Sequence, residues 1–216
     1  MTPPRALVTG STRGIGQAIA ASLEESGSMV IRHGRTFKGS EAPKSQMWLC
    51  DFSDPTAACA QWKLWLEQND PPDLLVHNAG HFEADTAWEP KAWDICMNVN
   101  FHTPSRLTQL LLKNLERPLT VVNILSVAAL QPRPDAYSYS ESKSLLMRWM
   151  HALQKQASQP LRIINVYPGP VLTDAWKKAS NRPVAMLQPM DVARQVLRLL
   201  LKPQVSRTAE LILTAG

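Results

Sequence analysis

The chain has 216 residues, of which 44% are apolar and 19% charged, and its formal net charge is +5. This composition excludes a disordered chain, and the length suits one α/β domain with a full core that needs no disulfide or metal. The basic residues are scattered, with Lys113, Arg117, Arg133, Lys177, Lys178 and Arg182 the densest group, and they read as a solvated face. There is no basic stripe interleaved with aromatics, so a nucleic-acid partner is not expected, whereas a small anionic molecule suits the mild positive bias.

No apolar run approaches the roughly 18 residues that span a membrane, and Met1–Arg5 runs into a strand without a secretory pattern. Cys50, Cys59 and Cys96 are odd in number and lack CxxC or Cys/His spacing. They read as reduced thiols of a cytoplasmic protein, with no metal site.

Short β-branched runs alternate with amphipathic stretches. Strands are expected at Arg5–Thr9, Met29–Arg32, Met47–Cys50, Asp73–His77, Leu119–Leu125, Leu161–Val166 and Glu210–Leu213. Helices are expected at Ile15–Ser26, Pro55–Gln68, Pro90–Leu115, Tyr137–Ala157 and Met190–Leu201. Gly27 stands where a C-cap glycine belongs and Pro55 where a first helical turn accepts proline. Segment Gly34–Gln46 is too short and polar for a full helix and reads as a loop. The repetition of strand and helix predicts a doubly wound parallel sheet of about seven strands, helices on both faces, in one domain over residues 1–216.

Tyr139 and Lys143 lie four residues apart in a helical stretch, one turn apart on one face, and Ser126 lies thirteen residues before Tyr139. A cation beside a phenol favours the phenolate and lowers a pKa that is ordinarily about 10. A phenol so tuned exchanges protons with a carbonyl/alcohol pair, and a nearby hydroxyl polarises the same oxygen. Tyr137 is a poor rival, because its i+4 partner is Glu141, an acid that disfavours a phenolate. Between the first strand and first helix lies Thr9-Gly10-Ser11-Thr12-Arg13-Gly14-Ile15-Gly16, whose glycines permit close approach of a pyrophosphate to a helix N-terminus. Of only nine glycines, Gly10, Gly14, Gly16, Gly80 and Gly169 fall at the carboxyl ends of strands, the ligand-binding edge of open α/β sheets.

The glycine loop, Asn78-Ala79-Gly80, Ser126, Tyr139-x-x-x-Lys143 and Pro168-Gly169, in this order, resemble the short-chain dehydrogenase/reductase family along nearly the whole chain. The resemblance implies a Rossmann-type fold with seven parallel strands and nicotinamide chemistry. It implies that Asn100, Ser126, Tyr139 and Lys143 are catalytic: Ser126 holds the substrate oxygen, Tyr139 is the acid/base, Lys143 lowers its pKa and binds the nicotinamide ribose, and Asn100 joins the proton relay. It further implies cofactor contacts at Gly10, Ser11, Arg13, Gly14, Ile15, Gly16, Asp51, Asn78, Ala79, Gly80, Tyr139, Lys143, Pro168, Gly169, Val171 and Thr173. Asn98 rivals Asn100, but the Val-Asn doublet favours the latter.

The stretch Arg32-His33-Gly34-Arg35 has no acid to accept a ribose 2′-hydroxyl, while Arg35 and Arg13 offer cations to a 2′-phosphate, so NADP(H) is favoured over NAD(H). The reading is an NADP(H)-dependent carbonyl reductase, with 3-oxoacyl thioesters the leading named substrate. An NAD-linked alcohol dehydrogenase and a non-catalytic NADP-binding sensor or scaffold are its alternatives. His77, where relatives often carry asparagine, reads as a packed strand-end residue. The resemblance implies that segment 174–188 is a substrate lid, here short. Phe82, Trp88, Leu130, Trp176, Met186 and Leu187 are candidate pocket walls, and Lys177, Lys178 and Arg182 would favour an acidic or carrier-bound substrate. The resemblance implies a homodimer or homotetramer through the two long helices, and apolar faces at Leu107, Leu110, Leu111, Leu145, Leu146, Trp149 and Leu153 suit this, although core packing explains part of the same stripe.

Overall fold

The structure, a computed structural model, describes residues 4–36, 46–85, 89–173, 183–201 and 207–215. Trp88, Trp176, Lys177, Lys178 and Arg182 lie outside the described residues, as does much of the Gly34–Gln46 loop. The strands are β1 (Arg5–Val8), β2 (Met29–Gly34), β3 (Gln46–Leu49), β4 (Leu74–His77), β5 (Leu119–Ile124), β6 (Leu161–Pro168) and β7 (Thr208–Leu213). The helices are α1 (Gly14–Glu25), α2 (Pro55–Gln68), α3 (Pro90–Met97), α4 (Thr103–Asn114), α5 (Tyr137–Gln156) and α6 (Pro189–Leu201).

All seven strands pair in parallel in the order β3-β2-β1-β4-β5-β6-β7, the expected doubly wound sheet. Alternation of side chains along each strand supplies two cores. Ile31, Leu7, Leu75, Val121 and Ile163 stand in register across five strands and pack beneath α2, α4 and α5. Val8, Val76, Val122 and Ile164 form the matching row on the other face, under α1 and α6. Leu107, Leu111 and Leu146 belong to the first core, so core packing accounts for that part of the helical stripe; Leu110, Trp149 and Leu153 are only partly buried.

Helix ends follow their local chemistry. Asp54 caps α2 by accepting from Thr56 N and Ala57 N, both at 3.0 Å, with Pro55 at the first helical position. Gly27 takes φ +88° past the end of α1, and its N–H returns to Glu24 O at 3.0 Å.

One expected element is broken. The helix expected over Pro90–Leu115 is two helices joined by a π turn at Asn98–His102, where Thr103 N donates to Asn98 O five residues back. Pro104 is the cause: it has no N–H to give the carbonyl of Asn100, and its ring crowds that carbonyl, so the helix widens immediately before it. The proline thereby bulges the helix at Asn100.

Candidate active site

At the carboxyl edge of β1 the glycine loop is stitched to the loop after β4. Asn78 Nδ2 donates to Thr9 O and Gly10 O, both at 3.0 Å. Thr9 Oγ1 accepts from Asn78 N at 2.9 Å and Ala79 N at 3.0 Å. Gly10 has φ +64°, and a Cβ there would come within 2.8 Å of Ala79 Cα, so only glycine fits both the turn and the approach. Asn78 and Ala79 thus buttress the loop.

The loop is also pinned to β2. His33 Nδ1 accepts from Gly10 N at 3.1 Å while its Nε2 donates to Cys50 O at 3.1 Å, and the ring stacks on Phe52 at 4.0 Å. Burial pushes its pKa down to about 4, which keeps it neutral and able to accept. Ser11 is fully buried, its Oγ accepts from His33 N at 3.0 Å and its own N–H donates to His33 O at 2.9 Å, so this residue is committed to the scaffold.

Helix α1 begins without a side-chain cap and with no acid in its first turn, so its leading amides present a positive end to an anion. A dinucleotide pyrophosphate fits this donor set. On the adenine side, a Cβ at Gly34 would lie 2.4 Å from Thr12 Cγ2, which leaves no room for the acid that would accept a 2′-hydroxyl unless Thr12 shifts. Arg32 is bound to Glu24 through Nε at 2.9 Å and Nη2 at 2.7 Å, and its Nη1 donates to Ser11 O at 3.4 Å. Arg13 and Arg35 are exposed. Asp51 is exposed too; a hydrogen bond from Ser53 N at 2.9 Å, with Arg35 nearby, holds its carboxyl below the usual range.

The four expected catalytic residues converge from three elements. Asn100, in the π turn, is locked: Nδ2 donates to His81 O and Ser142 Oγ at 2.9 Å, and Oδ1 accepts from His81 N at 2.8 Å. Lys143 is buried, donates from Nζ to Ile124 O at 3.0 Å, and lies 5.9 Å from the centre of the Tyr139 ring. Burial pushes its pKa down to about 8. A Cβ added to Gly80 would touch both Lys143 Nζ and Asn100 Oδ1 at 3.4 Å, so glycine keeps these two groups close.

Ser126, two residues past β5, has an extended backbone and caps the turn that follows, and Tyr139 sits in the first turn of α5. Both line a cavity of about 250 Å³, together with Ile15, Pro168, Gly169, Val171 and Thr173 from the expected cofactor set. Asn100 and Lys143 sit behind this wall. Tyr139 departs from expectation: its pKa is raised, not lowered, because burial outweighs the Ser126 hydroxyl and the Arg133 charge, which favour the phenolate. Lys143 is not among the influences on it; its ammonium donates to Ile124 O.

Of the described wall candidates, Phe82 lines the cavity, edge-on to Tyr139 at 5.1 Å. Leu187 instead packs against the second core, and Leu130 lies exposed. His77 is a packed residue as expected: Nε2 donates to Thr108 Oγ1 at 2.7 Å, and burial pushes its pKa down to about 3. Tyr137 stacks on Trp93.

Two residues escaped sequence reasoning. Asp85 is buried and accepts from Ser138 N at 3.2 Å and from Ser138 Oγ, which caps α5 from outside because Ala136 has no capping side chain. No local signal joins residues 53 apart. Arg133, expected on a solvated face, is on the cavity wall.

Residues 4–183 match the family described as short chain dehydrogenase. The chain belongs to this family. It is 31% identical over 216 residues to the 3-oxoacyl-[acyl-carrier-protein] reductase FabG of Haemophilus influenzae, with 88% of each chain covered. Its fold matches the alcohol dehydrogenase of the archaeon Thermococcus sibiricus complexed with 5-hydroxy-NADP at TM-score 0.83 and 22% identity, covering 98% of this chain and 96% of that one. It matches a 4-hydroxyisoleucine dehydrogenase complexed with NADH at the same TM-score, 0.83, and 20% identity, covering 99% and 97%. At those identities the two structures speak to the fold alone. The protein is a short chain dehydrogenase, an oxidoreductase that uses a nicotinamide cofactor on a small-molecule substrate.

Proposed function

We propose that this short chain dehydrogenase is an NADP(H)-dependent carbonyl reductase, with 3-oxoacyl thioesters among its candidate substrates. The observation that carries the reading is the shared wall of one cavity: Ser126 and Tyr139 face it side by side, with Lys143 and Asn100 directly behind. A bound nicotinamide supplies the hydride. Ser126 holds the substrate oxygen by its hydroxyl. Tyr139, protonated at neutral pH as a phenol ordinarily is, donates to that oxygen. Ser126 and Arg133 then stabilise the phenolate that forms. Lys143, with a pKa of about 8, exchanges protons near neutrality and returns one toward Tyr139 in concert with Asn100.

Support for NADP(H) comes from glycine, not an acid, at position 34, where the Thr12 methyl would crowd a side chain, and from exposed Arg13 and Arg35 at the same edge. The name of the Haemophilus relative supports the thioester class. The reading includes the cytoplasm as the protein's place and a homodimer or homotetramer, with partly buried Leu110, Trp149 and Leu153 available to a second copy; light scattering tests the assembly.

The deciding experiment follows oxidation of NADPH and of NADH against a carbonyl panel that includes 3-oxoacyl thioesters. Turnover should prefer NADPH. Tyr139→Phe should abolish turnover while leaving NADPH binding intact, and unchanged turnover in that variant refutes the mechanism. Arg35→Ala should weaken NADPH about tenfold, the worth of one charge-assisted contact, and leave NADH nearly unaffected.

A further inference from the structure

The cavity wall carries one charged side chain among the described residues, and it is Arg133. The rest of the lining is apolar or uncharged, Ile15, Leu125, Val127, Pro170 and Val171 among it. Arg133 is not a loose surface cation. Its Nε and Nη2 donate to the two carboxylate oxygens of Asp135 at 3.0 and 2.7 Å, its backbone N donates to Ser140 Oγ at 3.0 Å, and its guanidinium lies 5.8 Å over the Phe82 ring. Phe82 in turn meets Tyr139 edge-on at 5.1 Å.

A guanidinium has five N–H donors, and the Asp135 fork uses two of them. Three donors remain on a group already fixed in place, so a ligand oxyanion would bind without paying to order the side chain. The Arg133 and Asp135 side chains are 41% and 60% exposed, so water screens their pairing, and the guanidinium also borders a largely apolar cavity. The charge also acts on the reacting group, since Arg133 is among the influences that favour the Tyr139 phenolate.

We propose that Arg133 is a substrate-binding, specificity-determining residue that selects small carbonyl compounds with an apolar body and an oxyanion, held beside Tyr139. The inference rests on the reductase reading for the identity of the reacting group. The oxyanion has two possible sources, the carboxylate of a free oxo acid or the phosphate of a pantetheine-borne acyl group.

The test begins with binding, which needs no turnover. Hexanoate and its neutral isostere hexanamide are titrated calorimetrically into NADPH-loaded wild type and into the Arg133→Gln and Arg133→Lys variants. Hexanoate should bind wild type on the order of tenfold tighter than hexanamide, as a charge-assisted contact implies. Arg133→Gln should erase that preference and Arg133→Lys restore part of it. Equal binding of the two ligands, undetectable hexanoate binding, or a preference that survives in Arg133→Gln overturns the proposal.

Turnover then separates the sources. The ratio of kcat/KM for a 3-oxo acid over its methyl ester, and for a 3-oxoacyl coenzyme A over the phosphate-free N-acetylcysteamine thioester, is compared between wild type and Arg133→Gln. A fall of about tenfold in the first ratio assigns the carboxylate, and in the second the phosphate. If neither ratio falls, Arg133 does not select substrate. A wild type that binds hexanoate selectively but reduces nothing would sink the reductase reading while leaving the anion site standing.

Discussion

Lys143→Met should make this protein more stable at neutral pH while abolishing its activity. Lys143 is 4% exposed, and burial lowers its pKa from 10.5 to about 8. Its folded-state pKa therefore lies below its unfolded value, so between those values the unfolded chain holds a proton that the folded one has released. Stability then rises with pH from about 8 toward 10.5 and is lowest below that window, where the ammonium is buried charged. Each pKa unit is worth about 1.4 kcal/mol, so the burden at pH 7 is roughly 3 kcal/mol, falling to roughly 1.5 kcal/mol near pH 9.5. Methionine, unbranched and of similar length, fills the site without that burden. Against this, Ile124 O loses its 3.0 Å donor, at a cost of about 1 kcal/mol. The net gain at pH 7 is about 2 kcal/mol, a rise of roughly 4–8 °C in Tm for a chain of this size. Urea denaturation at about pH 7 and pH 9.5 measures it: the variant should lead at the lower pH, and the gap should narrow by about 1–2 kcal/mol at the higher. A variant less stable than wild type at pH 7, or a gap independent of pH, would refute the reasoning. Such a result would mean that Lys143 is held by its contacts at no electrostatic cost.

Other expectations are as direct. Gly16→Ala would place a Cβ 2.3 Å from Asn78 Nδ2 and 2.4 Å from Gly10 O, inside the bond those two atoms share. Overpacking and the broken bond outweigh the helical gain of alanine, so Tm should drop by roughly 3–9 °C and NADPH binding weaken. Gly27→Ala meets nothing within 4 Å and should cost only about 1 kcal/mol of backbone strain, with cofactor binding unaltered; equal behaviour of the two variants would contradict this account. Asp85→Ala strips the buried cap from α5 and should lower stability by about 1–3 kcal/mol and depress kcat more than KM for NADPH, because Tyr139 lies in the uncapped turn. His33 and His77 have pKa values pushed down from 6.5 to about 4 and about 3, so the unfolded state takes up their protons first. Stability should therefore fall as pH drops below about 6.5, and denaturant titrations should show His33→Gln flattening that slope between about pH 6.5 and 4.

Much of this molecule is written locally. The β-branched runs and helical periodicities suffice for a parallel α/β sheet, because an alternating pattern of that length can bury both sheet faces in few other ways. The glycine loop and the Tyr139/Lys143 spacing disclose their chemistry because residues of one turn or one helix face are neighbours in any fold. The π turn was legible in principle, since Pro104 stands in the chain four residues after Asn100. Other features depend on contacts between distant segments. Asp85 caps α5 across 53 residues, His33 pins Gly10 across 23, and Asn100 is locked to Ser142 across 42. The sign of the Tyr139 shift belongs to this second class: the i+4 lysine argues for a lowered pKa, but burial, which only packing decides, raises it. Arg133 is the same case at the surface, one arginine among scattered cations in the sequence and part of a cavity wall once the chain has folded.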